Sequence, residues 1–262
     1  MEKRISFLHS GDMGDLIAGL AAVKQICDIN EAKARFIVDT TGGLQNKFVR
    51  MQSSGLGLKL GHSAFEFLKP LLELQPYLAS VEEWTDKTKH PEVDFDLNMF
   101  RSCFFSKELL QKTNQNLLFC HQVVLGLPMG YTGPWLAVPE VENEGFALAA
   151  RSNRYHSSDQ LYLVNRKKLS EGHFIGTDLE YAAFQDCTRI SPKRTEIKNA
   201  LEAAIEIEKS ERFLVNGTLF YWIAVGMGHP KIFHEVGCNI PTTQFELGHP
   251  PITYCMGLQA QK

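Results

Sequence analysis

The chain has 262 residues, enough for one large domain or two smaller ones, and its 44% apolar and 22% charged residues are ordinary for a globular protein. A net charge of −3 argues against binding to nucleic acid or anionic membranes through a basic surface. Residues 1–4 do not resemble a secretion signal, and no apolar run approaches the roughly 20 residues that span a bilayer.

The six cysteines are dispersed and form no C-x-x-C pair, which is typical of proteins that keep their thiols reduced. We therefore expect a cytoplasmic protein with no nucleic-acid partner and no integral membrane segment. Peripheral association with the inner face of the membrane is compatible with these properties.

The opening residues predict a strand, a glycine-containing turn and a helix. The apolar run 5–8 precedes the turn, and an amphipathic segment extends from residue 16 to residue 29. This order is typical of the first unit of a nucleotide-binding α/β domain. Asp12 and Asp15 fall between strand and helix, at the edge where open α/β sheets bind ligands. Either carboxylate can act on a ligand or only cap the helix.

The rest of the first half alternates in the same way. We predict strands at 35–39, 80–84 and 94–100, and helices at 64–78 and 106–125. Ser106 is the expected N-cap of the last helix. The densest cluster of proline and glycine then occupies 126–139 and marks a domain boundary, which divides the chain into 1–138 and 139–262.

Beyond this boundary the alternation restarts. Strands are expected at 146–150, 172–176, 213–215 and 231–233, and we expect no strand after the one at 231–233. Helices are expected at 193–209 and from 219 to about 226. Two successive βα halves predict an α/β fold of two Rossmann-like parallel-sheet domains that face a cleft.

The polar turn Asn216, Gly217 and Thr218 joins a predicted strand to a predicted helix. The first N–H groups of a helix lack internal partners, so such a turn can bind an anion such as a phosphate. Equally, Asn216 or Thr218 can simply cap the helix.

Three charged residues follow other strand ends of the second half. Arg151 and Arg154 come directly after the strand at 146–150, where guanidinium groups suit a diphosphate, although a solvated loop explains them as well. Glu180 lies at a turn-to-helix junction, where it can meet a ribose or base edge or stabilise the helix N-terminus electrostatically.

Several motifs are missing from the sequence. It contains no G-x-x-x-x-G-K-[ST], no G-x-G-x-x-G and no G-x-S-x-G. His229, His234 and Glu235 lie close together but form no H-E-x-x-H, so structural histidines explain them better than a metal site does.

With these residues in view, the chain resembles the ADP-heptose:lipopolysaccharide heptosyltransferase-like glycosyltransferases, which have the GT-B fold. The run of residues 10–16, S-G-D-M-G-D-L, is similar to that family's S-x-x-M-G-D-[VIL] start. Segments 94–101, 134–136, 151–155 and 213–230 are similar to later parts of the family in the same order. At 216–218 the family commonly has an acidic residue, then Thr or Ser, then Gly, so Asn-Gly-Thr is a variant.

The resemblance implies transfer of a sugar, with inversion, from a nucleotide-diphosphate sugar to an acceptor hydroxyl, without a cofactor or a metal. The acceptor would be a saccharide, a lipid-linked saccharide or another hydroxyl compound. On this interpretation the general base is Asp15, and the loop on the acceptor side comprises Ser10, Gly11, Asp12, Met13 and Gly14. The donor diphosphate is held by Asn216, Gly217 and Thr218 with Arg151 or Arg154, and Glu180 lies towards the nucleoside.

Two alternatives belong to other classes. A protein of the same fold can bind a nucleotide or nucleotide-sugar without catalysis, and ligand-induced stabilisation without turnover would identify it. A Rossmann-type enzyme that uses a dinucleotide or a methyl donor is disfavoured, because the glycine fingerprint is missing.

Overall fold

The computed structural model describes residues 2–41, 60–150, 189–190, 197–216, 219–236 and 252–256. The strands are β1 Arg4–His9, β2 Lys33–Asp39, β3 Leu78–Trp84, β4 Phe95–Asp96, β5 Phe146–Ala150, β6 Arg189–Ile190, β7 Ser210–Asn216, β8 Ile232–Val236 and β9 Ile252–Met256. The helices are α1 Met13–Asn30, α2 His62–Glu73, a 3-10 helix Leu97–Phe104, α3 Lys107–Thr113, α4 Leu117–Val124, α5 Ala200–Lys209 and α6 Leu219–Met227.

The described strands form two parallel sheets, which confirms the predicted α/β class. Their orders are β3-β2-β1-β4 and β6-β5-β7-β8-β9, and all strand pairs are parallel. In the first sheet the strand order reverses between β1 and β4, and in the second between β5 and β7. The crevice at the carboxyl ends of such a reversal is where open α/β sheets bind ligands. The loops after β1 and β7 therefore both lie at a reversal.

Helix α1 is buried on every side from residue 16 to residue 23. Asp12 is its N-cap, with extended backbone angles of φ −62° and ψ 158°, and Glu31 ends it in the left-handed region at φ 48°. All residues from 16 to 23 are buried, because α1 packs on α4 and on α6 as well as on the first sheet. A helix that is apolar all round belongs to the interior of a protein. The helix was therefore predicted at the correct position, but it is buried on all sides over these residues and not only on one apolar face.

Two predictions in the first half were wrong, one because of a local hydrogen bond and one because of left-handed backbone angles. The strand at 94–100 is limited to β4, since the Asp96 carboxylate accepts the Asn98 amide and starts the 3-10 helix. The helix at 106–125 is two helices, separated by Asn114 and Gln115 with φ of 46° and 59°. Ser106 does cap the first of them, as predicted, by accepting the Leu109 amide.

Other elements differ mainly in their bounds. Helix α2 tolerates Pro70 in its interior and ends at Glu73, before the expected end at 78. Helix α5 begins only at Ala200, because Asn199 caps it by accepting the Glu202 amide. The strand at 231–233 is not the last one, since β9 follows β8 in the sheet. The strand predicted at 172–176 lies outside the described residues.

The proline- and glycine-rich segment 126–139 is anchored on both halves of the fold. The backbone amides of Trp135 and Leu136 donate to the Gly226 carbonyl at 2.8 and 2.9 Å, and the Trp135 indole N–H donates to the Ile17 carbonyl at 2.9 Å. Buried apolar residues from the helices of both sheets form a single cluster around this segment. The domain division at 138 stays a prediction.

Candidate functional site

The loop after β1 is tied to the carboxyl end of β4. The Ser10 amide and hydroxyl both donate to the Asn98 side-chain oxygen, at 2.9 and 2.8 Å, and Ser10 is only 5% exposed. The Asn98 side-chain nitrogen donates to Asp96 at 2.8 Å, which fixes the orientation of the amide group. The 3-10 helix thus holds the predicted acceptor-side loop at the point where the strand order reverses.

Asp12 and Asp15 both take part in capping α1. They form a capping box, in which the Asp15 carboxylate oxygen Oδ2 accepts the Asp12 amide at 3.3 Å. The interpretation of Asp12 as a helix cap is confirmed, and Asp15 turns out to share that role. Asp12, Met13, Gly14 and Asp15 are half-buried.

The close approach of Asp15 to the turn requires glycine at position 11. A Cβ atom built on Gly11 would lie 3.0 Å from both the Cβ and the Oδ2 of Asp15, and 2.6 Å from the Cε1 of His9. The carboxylate therefore packs directly over the backbone of the turn.

A buried arginine that the sequence reasoning missed lies near these carboxylates. Arg101 is 3% exposed, donates to the Asn98 oxygen at 3.0 Å and lies 4.7 Å from the centroid of the Phe100 ring. Burial lowers the pKa of Arg101, whereas the negative charges of Asp15, Asp12 and Asp96 raise it. A buried guanidinium needs such compensation, so the site pairs a fixed positive charge with the carboxylates of the loop.

The sequence reasoning also missed two buried histidines that lie beside the loop. The Nε2 atoms of His9 and His121 lie 3.1 Å apart, and both side chains are fully buried. Burial, together with the charge of Arg101, lowers the pKa of His121 to about 3. Burial and then the charges of His121 and Arg101 hold the pKa of His9 well below 6.5. Both rings are therefore neutral at pH 7. His9 immediately precedes the motif, which was the one signal in the sequence that pointed to it.

A concave surface opens beside Ser10 at the carboxyl edge of the first sheet. Its lining combines acidic, basic, hydroxyl and aromatic side chains, namely Asp39, Thr41, Trp84, Asp86, Lys89 and His90. Such a mixture suits a polar ligand rather than an apolar one.

The predicted donor side is described only in part. Strand β5 ends at Ala150, whose register partner is Val215, and β7 ends at Asn216. Arg151, Arg154, Glu180, Gly217 and Thr218 lie outside the described residues, and only the backbone of Asn216 is described. The described strands β5 and β7 are thus neighbours that end at the same edge of the sheet.

The starts of α1 and α6 are in contact. A Cβ atom built on Gly14 would lie 3.4 Å from the Cδ1 of Trp222 and 3.5 Å from the Leu219 amide nitrogen. Gly14 immediately precedes Asp15, and Leu219 immediately follows Thr218. The structure therefore places Gly14, the last residue of the predicted acceptor-side loop, beside the first turn of α6.

His229 and His234 have structural surroundings. His229 makes hydrogen bonds to the hydroxyl and carbonyl of Ser210, and His234 packs against the Tyr221 ring at 4.4 Å between centroids. Across the described ranges, no group of three or more His, Cys, Asp or Glu residues is arranged to hold a metal ion. Nor does any helix in those ranges have the length and apolar character to cross a membrane.

No protein-family model matches the sequence, and no curated protein matches it. Among solved structures, the chain is similar to the iron-containing dodecameric glycosyltransferase TibC of enterotoxigenic E. coli H10407, with 10% identity, 97% of this chain covered and a TM-score of 0.48. A second TibC structure, a heptosyltransferase complex with ADP-D-beta-D-heptose, gives 12% identity, 96% coverage and a TM-score of 0.49. The chain spans 63% of the length of TibC.

The E. coli heptosyltransferase WaaC with ADP is similar at 10% identity and a TM-score of 0.45, covering 97% of this chain and 93% of WaaC.

Proposed function

We propose that the protein is an inverting glycosyltransferase that moves a sugar from a nucleotide-diphosphate sugar to an acceptor hydroxyl. What supports this most is the packing of α1 on α6, with Leu219 and Trp222 beside Gly14, because it places the loop of Asp15 next to the helix that follows the 216–218 turn. A base on one loop and a phosphate-binding turn on the other must lie near each other for a single reaction to use both. In this proposal residues 1–138 form the acceptor-side domain, residues 139–262 form the donor domain, and the two face a cleft as in the GT-B fold.

Asp15 is the proposed general base. It takes the proton of the acceptor hydroxyl while that oxygen bonds to the anomeric carbon of the donor sugar. The bond from this carbon to the diphosphate breaks on the opposite face, and the electron pair leaves with the nucleotide diphosphate. The capping bond from the Asp12 amide orients the carboxylate, and a carboxylate oxygen can accept more than one hydrogen bond.

On the donor side, the leaving diphosphate gains negative charge that has to be stabilised. The N–H groups of the 216–218 turn and of the start of α6, with Arg151 or Arg154, are proposed to do this without a divalent cation. Glu180 is proposed to lie towards the nucleoside. The mixed polar lining beside Ser10 is compatible with a saccharide or lipid-linked saccharide as acceptor.

The test uses the full chain with a panel of nucleotide-diphosphate sugars, first in thermal-shift binding and then in turnover. Asp15→Asn keeps an oxygen for the Asp12 amide and removes the base, so we expect unchanged donor binding and a loss of turnover of about 100-fold or more. The matched control is Asp28→Asn, on the same helix, where the carboxylate pairs with Lys24 at the surface. Retained turnover in Asp15→Asn would remove Asp15 from the role of base.

A second candidate function is nucleotide or nucleotide-sugar binding without catalysis. The observation that favours it is the capping role of Asp15, because a carboxylate that stabilises a helix needs no catalytic explanation. It predicts that a nucleotide-sugar raises the unfolding temperature of the wild type and of Asp15→Asn equally, with no product from either.

A further inference from the structure

The hydrogen bonds around His9 and His121 define the position of every ring proton. The Gly11 backbone amide donates to His9 Nδ1 at 2.9 Å, so that nitrogen carries a lone pair and the proton of the neutral ring is on Nε2. His9 Nε2–H then donates to His121 Nε2 at 3.1 Å. The remaining proton of His121 is on Nδ1, which donates to the Leu117 carbonyl at 2.7 Å.

This arrangement is a directed chain from a backbone amide to a backbone carbonyl. All four ring nitrogens have a partner, and two protons are sufficient for the two rings. A third proton would leave two N–H groups facing each other or an N–H facing the Gly11 amide. The Phe100 ring stacks on both imidazoles, with centroids 5.8 Å from His9 and 4.3 Å from His121, which closes the pair off from water.

The two imidazole rings contact the backbone on both sides of Asp15, at Gly11 and at Gly19. At Gly11 the amide is held by His9, and the carboxylate of Asp15 packs over the same residue. At Gly19, one helical turn after Asp15, a Cβ atom would lie 3.0 Å from the His121 ring and 3.4 Å from the His9 ring. The backbone on both sides of Asp15 therefore rests on the two imidazoles.

We infer that His9 and His121 are positioning residues, a proton-ordered pair that fixes the Gly11 turn and through it the place of the Asp15 carboxylate. This inference rests on the proposed function in so far as it concerns catalysis. The pair touches neither donor nor acceptor in this scheme. The pair holds the Asp15 carboxylate in position and neither donates nor accepts a proton in the reaction.

Two variants of His9 separate positioning from simple packing. In His9→Asn the side-chain oxygen comes close to the position of Nδ1 and can accept the Gly11 amide, while the bond to His121 is lost. In His9→Gln the side-chain amide comes close to the position of Nε2 and can reach His121, while the Gly11 amide loses its acceptor. Both variants lose the ring stacked on Phe100, and Asn leaves the larger cavity, so higher activity in His9→Asn than in His9→Gln would not come from packing.

We expect His9→Gln to lower kcat by about 100-fold with little change in the KM for the nucleotide-sugar, because a misplaced base costs rate rather than binding. His9→Asn should recover kcat to within about tenfold of the wild type. If the two variants lose kcat equally, or if kcat follows only their unfolding temperatures, the pair has a structural role and the inference is overturned.

Two measurements on the full chain do not depend on turnover. Long-range 15N–1H correlation spectra at pH 7 should show the Nε2–H tautomer for His9 and the Nδ1–H tautomer for His121. Hydrogen exchange of the Gly11 amide should be slow in the wild type and in His9→Asn and fast in His9→Gln. If no nucleotide-sugar is turned over by the wild type, the proposed function fails, and these two readouts still decide whether the pair fixes the turn. Opposite tautomers, or equal exchange in the two variants, would overturn it.

Discussion

Asp15 accepts the backbone amide of Asp12 at 3.3 Å, so the carboxylate proposed as the general base also closes the first turn of α1. The two roles make different demands on the side chain. Capping needs an oxygen in the right place, whereas the base needs the negative charge. Substitutions that keep one property and remove the other can therefore separate stability from activity.

Asp15→Ala should lower the free energy of unfolding by about 1 kcal/mol, because it removes half of the capping box. Asp15→Asn should lower it less, since the amide oxygen can still accept the Asp12 amide. Urea unfolding followed by circular dichroism measures both variants. Equal stability of the Ala variant and the wild type would mean that the capping box contributes nothing measurable.

Gly11→Ala should destabilise the protein by about 1–3 kcal/mol, because the new methyl group would overlap His9 and crowd Asp15. The control is Gly61→Ala at the N-cap of α2, where no atom of the described residues lies within 4 Å of the added carbon. The Gly61 variant loses only the preference of an N-cap for glycine over alanine, so it should stay within about 1 kcal/mol of the wild type. Thermal unfolding of both variants under the same conditions provides the comparison, and a similar loss in both would contradict the proposed crowding.

Asn98→Leu should cost about 3–5 kcal/mol, because the buried Ser10 amide and the buried Arg101 guanidinium lose the same acceptor. Asn98→Asp keeps an oxygen for both donors and should cost less, although its charge faces Asp96. Denaturant unfolding of the pair measures the difference. A Leu variant as stable as the Asp variant would show that this oxygen is not needed.

The stability of the protein should fall as the pH falls below about 6.5. The pKa values of His9 and His121 are lowered in the folded state, so below the unfolded-state value the unfolded chain binds protons that the folded chain excludes. Each such histidine contributes a slope of at most about 1.4 kcal/mol per pH unit, which is absent above the unfolded-state pKa. The permanent charge of Arg101 acts in the same direction on both rings.

Urea unfolding between pH 7.5 and pH 5.0 measures this slope. His9→Asn should reduce the slope, because the unfolded variant no longer has a histidine at position 9 that binds a proton. His62→Asn is the control, since His62 lies at the surface beside Glu83, which raises its pKa. A slope that is the same in His9→Asn as in the wild type would contradict the assignment of neutral rings.

The strands and helices that hold the site could be predicted from the sequence, but the residues at which several elements end could not. The β1–α1 and β7–α6 units follow from apolar runs and turn residues that are adjacent in the chain. The end of β4 and the break at Asn114 depend on individual hydrogen bonds and on left-handed backbone angles, which hydrophobic periodicity does not contain. β9 was not anticipated at all, although it continues the parallel order of its sheet.

The sequence by itself determined the α/β class, the opening motif with Asp15, and the resemblance to heptosyltransferase-like proteins. Only the tertiary structure decided what surrounds Asp15. His9 meets His121 across 112 residues, and Ser10 meets Asn98 across 88 residues, because the strand order places β4 beside β1 and packs α4 against α1. The hydrophobic pattern of a segment predicts which of its residues are buried, whereas the crossover connections of the parallel sheet determine which buried residues contact each other.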